Sequence, residues 1–243
     1  MGDVSPVRRT SPFAAAAAIA VTLAGAGCST SGSPGKAVVT TAASVPFPVA
    51  AGNTWKYKLT GSSGAGSETE TMTSVVPVAG GKKATMTETD TIAGTTLKSR
   101  LVYFFQANGT ITCVLLLPGK GNTATANLSY PRFPPEAVIS SGKLVELDEQ
   151  VTAHGTYRSV KEMMHITIRG EGTATVTVPA GTYRAVVVSE TSTLTGPGIR
   201  QPQTTYVKTW LAPGVGPVQI RVIIGTTDGN RSSQTVLESF KEG

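Results

Sequence analysis

The sequence predicts an all-β domain, an antiparallel meander that closes into a barrel or curls into a curved half-barrel, with a β-sandwich as the alternative. Beyond residue 45 the chain consists of short alternating stretches rich in threonine, valine, isoleucine and tyrosine, with no convincing helical periodicity. Turn signals such as Asn108-Gly109 and Pro213-Gly214 recur along the chain, and such tight connections join antiparallel neighbours. About a dozen consecutive strands must protect their edges, which closure or curling achieves.

A glycine, proline or asparagine occurs within two residues after most of the predicted strands. In order, they are Thr54–Thr60, Glu68–Val78, Lys83–Ile92, Leu97–Gln106, Thr110–Leu117, Leu144–Tyr157, Glu162–Arg169, Thr173–Val178, Tyr183–Thr193, Thr204–Leu211, Val215–Ile224 and Arg231–Phe240. Within Thr173–Val178, threonines alternate with alanine and valine, so one face of the sheet is expected to be solvated. The segment from Gly119 to Gly142 breaks the rhythm and is expected to be the longest irregular stretch, a crossover or a lid.

The first 27 residues are typical of an export signal. Arg8 and Arg9 give a basic start, and Phe13–Gly27 is an apolar run of 15 residues that is dominated by alanine and ends in small residues. A helix that spans a membrane needs roughly 20 residues in total, and these are more strongly apolar than alanine. We therefore expect a cleaved signal, exported by the general route or, given the arginine pair, by the twin-arginine route.

The signal ends in Gly25-Ala26-Gly27-Cys28, which resembles the lipobox of bacterial lipoproteins. The resemblance implies cleavage between Gly27 and Cys28 and a diacylglyceryl group on the Cys28 sulfur, with palmitate-type acyl chains. Two acyl chains make anchoring stable where one gives marginal binding. The sequence departs from the pattern because its aliphatic residue, Leu23, lies five residues before the cysteine and Gly25 occupies the usual place. An ordinary secretory signal is the alternative.

The sequence predicts three segments, namely a signal peptide over residues 1–27, the anchor cysteine with a flexible tether over 28–44, and a single β-rich domain over 45–243. The tether is rich in serine, glycine, threonine and alanine, a composition unable to build a core. The expected location is the outer face of the cell membrane, or the outer membrane of a Gram-negative source. The net charge of +6 falls to +5 without the signal, and its scattered cations give no support to nucleic acid binding.

Two further segments carry a resemblance. The core Gly52-x-x-Trp55-x-Tyr57, together with Val178-Pro-Ala-Gly-Thr and Ala212-Pro-Gly-Val-Gly, resembles uncharacterised secreted bacterial families that are mostly β. A looser similarity is to lipoprotein carriers with a half-barrel over an apolar cavity. We expect Trp55 and Tyr57 to point the same way on a strand, as core aromatics or as a ligand-facing shelf, and Trp210 is a candidate for the same roles.

Signatures of catalysis are sparse. Gly61–Ala65 misses the Gly-x-Ser-x-Gly pattern at its last position, and the Ser-x-x-Lys match at Ser140–Lys143 has no Lys-Thr-Gly partner. His154 and His165 lack the spacing of a helical zinc pair. The sequence therefore predicts neither an enzyme nor a metal or cofactor site.

The remaining candidate groups favour structural roles. Glu146, Asp148 and Gln150 alternate on one strand face, which favours a solvated edge over a paired-carboxylate site. Cys113 lies in an apolar run, so we expect a buried, inert thiol.

The leading hypothesis for function is a membrane-anchored, non-enzymatic envelope module that binds an apolar or lipid-like ligand. A structural or protein-interaction module of an envelope complex is the alternative. A third hypothesis is an unrecognised hydrolase, which requires a serine, a histidine and an acid to converge.

Overall fold

A computed structural model of the chain describes residues 48–62, 64–107, 111–117, 126–129, 141–154, 159–197, 199, 201–226 and 229–243. The signal peptide, Gly27, Cys28 and the tether lie outside these residues, so the segment boundaries remain predictions. Within the described ranges, no helix is long and apolar enough to cross a membrane.

The described chain is an antiparallel β-meander that curves into a ring, which confirms the predicted fold class. Its strands are β1 Thr54–Gly61, β2 Gly66–Val78, β3 Gly81–Ile92, β4 Thr95–Gln106, β5 Ile111–Leu117, β6 Ala126–Ser129, β7 Val145–His154, β8 Ser159–Val178, β9 Gly181–Thr195, β10 Gln203–Ala212, β11 Gly216–Thr226 and β12 Gly229–Lys241. Each strand pairs with its neighbours in sequence, and β1 also pairs with β12 to close the barrel. The thinnest junction is β6–β7, where the recorded register consists of the pair Leu128 and Ala153.

One strand of the structure replaces two predicted ones. The sequence predicts separate strands over Glu162–Arg169 and Thr173–Val178, but β8 runs without interruption through both. The register of β8 against β9 shifts between Gly170 and Thr173, and Gly172 has a φ of +87°. Glycine adopts this conformation without steric cost. The glycine pair therefore marks a β-bulge inside a long strand, where the sequence suggested a turn.

The segment predicted to be irregular contains a strand. β6 lies between Gly119 and Gly142 and pairs with the end of β5. Of that segment, the structure describes residues 126–129 and 141–142 alone, so the predicted crossover or lid lies outside the described residues.

Strand alternation divides the side chains between the interior of the barrel and its outer face. Interior residues of β1 to β3 are buried, among them Trp55, Tyr57, Met72 and Met86. We call the end of the barrel that holds Pro48, the β10–β11 turn and Gly243 the terminal end, and the opposite end, with the β3–β4 turn, the far end.

Hydrogen bonds from buried side chains tie the terminal end together. The Trp55 indole Nε1 donates to the Val215 carbonyl at 2.6 Å, and the Tyr57 hydroxyl donates to the Pro217 carbonyl at 3.2 Å. The Asn53 side chain donates to the Pro48 carbonyl at 2.9 Å. Its own oxygen accepts from the Gly243 amide at 3.0 Å, which brings the two ends of the described domain together.

Candidate metal centre in the barrel interior

Four carboxyl groups lie side by side on the inner face of the barrel. Glu68 and Glu70 are two residues apart on β2, and Glu88 and Asp90 are two residues apart on β3, so each pair shares a face. The register places Glu68 opposite Asp90 and Glu70 opposite Glu88. All four side chains are buried. We call these four residues the acidic cluster.

The carboxyl groups bond to one another. The Glu68 carboxyl donates a hydrogen bond to Glu70, and the Glu88 carboxyl donates one to Asp90. The Ser99 hydroxyl, opposite Glu88 on β4, donates to Glu88 Oε2 at 3.0 Å. One oxygen of each carboxyl, namely Glu68 Oε1, Glu70 Oε2, Glu88 Oε1 and Asp90 Oδ1, has no hydrogen-bond partner among the described residues.

Burial and mutual repulsion hold the acidic cluster in a protonated state. Burial is the main cause of a raised pKa at all four carboxyls, and repulsion from neighbouring carboxyls adds to it at Glu68, Glu70 and Glu88. The pKa of Glu70 rises to about 8 and that of Glu88 to about 10. The two hydrogen bonds given to Asp90 and Glu70 act in the opposite direction at those acceptors. At neutral pH the cluster therefore retains protons that exposed carboxyls would have lost.

The described basic groups do not neutralise the acidic cluster. The ion pairs that the structure describes join His165 to Asp148 and Lys208 to Glu171, both away from the cluster. One oxygen from each of Glu68, Glu88 and Asp90 lies within 4.8 Å of the others, close enough for all three to contact a single cation. The arrangement can hold protons or a metal ion.

Tyr103 and Cys113 lie next to the acidic cluster. Both are buried on neighbouring strands and lie opposite each other in the β4–β5 register. Burial raises the pKa of Cys113 to about 12, which keeps the thiol protonated, and the buried thiol confirms the expectation from sequence. Burial also raises the pKa of Tyr103, with further contributions from Cys113, Glu70 and Glu88. The hydroxyl of Tyr103 has no nitrogen or oxygen partner among the described residues.

The interior changes character towards the far end. Leu59, Ile92, Leu97 and Ile224 follow the inward alternation of their strands but are only partly buried, and Leu97 is 37% exposed. Glu190 also faces inward, and burial raises its pKa to about 7. This end therefore offers apolar side chains that are not fully covered by protein, together with one acid that titrates near neutrality.

The aromatic residues singled out in the sequence lie in different places. Trp55 and Tyr57 are almost completely buried in the core at the terminal end. Trp210 lies between the buried Thr209 and Leu211 on the opposite face of β10 and is half-buried. The cationic groups of Lys208 on β10 and Arg221 on β11 lie 5.6 and 5.7 Å from the centre of its ring.

Other sequence candidates lie on the outer face or outside the described residues. His165 Nδ1 lies 2.8 Å from Asp148 Oδ1, and these side chains are 51% and 73% exposed. Thr193 lies opposite His165 in the register, so a hydroxyl, an imidazole and an acid share one exposed row. Glu146, Asp148 and Gln150 are exposed, as predicted for a solvated edge. Ser140 and the side chain of His154 lie outside the described residues.

The acidic cluster was not predicted from the sequence, although the residue pattern contains a signal for it. In both Glu68–Met72 and Met86–Asp90, two acids and a methionine occupy every second position, with threonine at the intervening positions. Threonine is well suited to the solvated face of a strand. The acids therefore share the inward face of the methionines, and an inward carboxyl on each of two paired strands predicts a buried cluster.

Comparison with known proteins shows the fold. A DUF3108-like family model matches residues 123–221, less than half of the chain, and no curated protein matches. The crystal structure of a proposed lipoprotein from Parabacteroides distasonis superposes with a TM-score of 0.55 at 22% identity, covering 80% of this chain and 97% of that one. A proposed exported protein with YmcC-like fold from Bacteroides fragilis gives a TM-score of 0.46 at 14% identity, over 81% of this chain and 98% of that one. The chain thus shares the fold of the Parabacteroides protein and is similar, over residues 123–221, to the DUF3108-like family.

Proposed function

We propose that the chain is an exported, lipid-anchored module of the bacterial envelope, and that its barrel binds an apolar or lipid-like ligand without catalysing a reaction. The proposal of a ligand rests on the partly exposed apolar lining at the far end, which is formed by Leu59, Ile92, Leu97 and Ile224. Apolar side chains that remain accessible inside a concave wall are typical of sites for apolar molecules.

The export signal and the lipobox-like sequence at Cys28 support the anchor. The name of the Parabacteroides protein, which has the same fold, agrees with a lipoprotein. The position of Pro48 at the terminal end also suits an anchored barrel, because the tether from Cys28 would join the domain there. With 19 residues between Cys28 and Pro48, an extended tether reaches roughly 60 Å, which leaves the far end free to face away from the membrane.

The outer-face row of Asp148, His165 and Thr193 gives little support to the hydrolase hypothesis. A general base works best where water is excluded and where the pocket holds a substrate against it. The two ionisable members of this row are mostly exposed on the outside of the barrel. An ordinary surface contact between neighbouring strands accounts for their geometry.

Metabolic labelling with a fatty acid tests the anchor. The wild-type protein should become labelled in its own host, and Cys28→Ala should abolish the label because it removes the only sulfur at the proposed cleavage site. Cys113→Ser is the matched control and should keep the label, since Cys113 is buried inside the barrel. Label that survives Cys28→Ala would disprove the anchor.

Native mass spectrometry of the soluble domain, purified from its own host without the anchor, tests the ligand. The wild-type domain should retain an added mass that organic solvent releases as an apolar molecule. Leu97→Asp should lose this mass because it places a charge on the inner lining. Val76→Asp changes an outer-face residue of similar exposure and should keep the mass. An empty wild-type domain would rule out the ligand and leave the anchor unaffected.

A second candidate function is a protein-interaction module. Tyr206 and Ile223 lie opposite each other in the β10–β11 register, on the outer face, and are 50% and 41% exposed. Adjacent exposed apolar side chains are a feature of interaction surfaces. If this function is correct, cross-linking in the envelope should give a specific adduct that Tyr206→Ser removes and that Leu97→Asp leaves unchanged.

A further inference from the structure

The acidic cluster has the geometry of a cation site. Oxygens from Glu68, Glu88 and Asp90 converge within 4.8 Å of one another, and the unpartnered Glu70 Oε2 belongs to the same group of carboxyls. We infer that this cluster binds a single Ca²⁺ ion inside the barrel, a site that goes beyond the ligand at the far end and is independent of the lipid anchor.

A buried polar atom beside the three converging carboxyls points independently to a ligand. Glu70 is 1% exposed, and its Oε2 atom has no hydrogen-bond partner among the described residues. Buried polar atoms are nearly always satisfied in folded proteins, and leaving one unsatisfied is costly. A cation among the carboxyls would satisfy the free carboxyl oxygens together.

The donor set selects the type of ion. All the converging groups are carboxyl oxygens, whereas zinc sites are usually built from cysteine and histidine. Calcium takes oxygen ligands at about 2.3–2.6 Å in a flexible geometry, which suits carboxyl groups that come from two neighbouring strands. Magnesium requires oxygens at about 2.0–2.1 Å in a strict octahedron and usually retains several waters. A larger, hard cation with flexible coordination therefore fits best.

The charge of the cluster suits a divalent ion. Its four buried carboxyls form no ion pair with a described basic side chain, and an unpaired negative charge is costly to bury. A divalent cation would offset two such charges, and each of the four carboxyls has an oxygen without a hydrogen-bond partner among the described residues that could contact it.

Isothermal titration calorimetry with CaCl₂ tests the inference on the full chain in detergent, after dialysis against a chelator. The wild-type protein should bind one ion, with a dissociation constant of about 1 mM or tighter, the range of extracellular calcium modules. Glu88→Gln and Asp90→Asn each replace a carboxyl ligand with an amide that cannot become negatively charged, and each should weaken binding by at least about 10-fold. Asp148→Asn makes the same change on the outer face and should leave binding within about 2-fold.

The titration has clear negative outcomes. The inference is overturned if the wild-type protein gives no calcium-dependent heat up to about 10 mM, ten times the weak limit above, or if both cluster variants bind as the wild type does. Circular dichroism establishes that the variants fold. If neither folds, terbium on the wild-type chain decides, because Tyr57 and Tyr103 next to the site should sensitise its emission and CaCl₂ should quench it; absence of sensitised emission also overturns the inference. Cys28→Ala should bind calcium normally, so failure of the anchor and failure of the ion site are distinguishable.

Discussion

Two neighbouring regions of the barrel interior differ in whether their buried polar atoms have hydrogen-bond partners. At the terminal end, Trp55 and Tyr57 are buried, and their polar atoms donate hydrogen bonds to the backbone carbonyls of Val215 and Pro217. On the strands beside them, Glu68 and Glu70 lie in register with these two aromatics, yet each keeps an oxygen without a partner.

Packing requirements alone do not explain the acidic cluster. Met72 and Met86 occupy equivalent inward positions on the same two strands and are completely buried. Replacing buried charged groups with apolar residues of similar size is often neutral or stabilising. A sequence that keeps four acids where methionine would serve sacrifices stability there, which is expected of a binding site and not of a packing element.

Among single substitutions, the largest expected loss of stability is at the terminal end, where Trp55 and Tyr57 have hydrogen-bond partners. Trp55→Ala should lower the free energy of unfolding by about 3–5 kcal/mol, because it leaves a cavity in the core and removes the bond to Val215. Trp210→Ala should cost about half of that or less, since the Trp210 ring is only half-buried. Urea denaturation measures both. Equal losses would mean that the terminal end is not the better packed region.

The next effect tests the acidic cluster through pH. The folded pKa values of Glu70 and Glu88 rise to about 8 and about 10, so the folded state holds protons that the unfolded chain has already lost above about pH 4.5. Without calcium, the free energy of unfolding should therefore fall as pH rises from 5 to 8, by up to about 1.4 kcal/mol per pH unit for each such proton.

Urea denaturation in the presence of a chelator, at several pH values between 5 and 8, measures this slope. Glu70→Gln combined with Glu88→Gln should make the slope shallower, because neither amide titrates. Stability that is constant or that increases over this range would show that the cluster does not retain its protons.

The smallest expected effect concerns an ion pair on the outer face of the barrel. Glu171 forms an ion pair with Lys208 on the outer face, and the hydrogen bond from Lys208 is the main cause of its lowered pKa. Because both side chains are about 40% exposed or slightly less, solvent weakens the pair. Glu171→Gln should change the free energy of unfolding by less than about 0.5 kcal/mol. A change as large as that of an interior Glu→Gln variant would contradict the division between the two faces.

Much of the fold could be predicted from the sequence because it depends on local pattern. Alternation and turn residues locate most strands, including Thr54–Thr60 and Arg231–Phe240, within a few residues of their observed bounds. Gly170 and Gly172 led to the wrong prediction of a turn between two strands, because glycine is typical of both turns and β-bulges. β6 is only four residues long, too short for a period to emerge.

The candidate site was harder to predict because it depends on register. Glu68 and Asp90 lie 22 positions apart in the chain and become neighbours only through the β2–β3 pairing. Acids that alternate with threonine are typical of an exposed strand, and burial is settled by which face the barrel encloses. His165 and Asp148 meet for the same reason, through the pairing of β7 with β8, which no short motif encodes.

The contact between Asn53 and Gly243 makes the covalent order of the strands dispensable. Since β1 and β12 already pair side by side, a short linker could join the two ends of the domain, and new ends could be opened at the exposed Ala93-Gly94 turn. With the proposed lipid anchor attached, such a circular permutant would carry its tether at the far end, and the barrel would be inverted relative to the membrane. It would therefore reveal which end has to face outward for the protein to work.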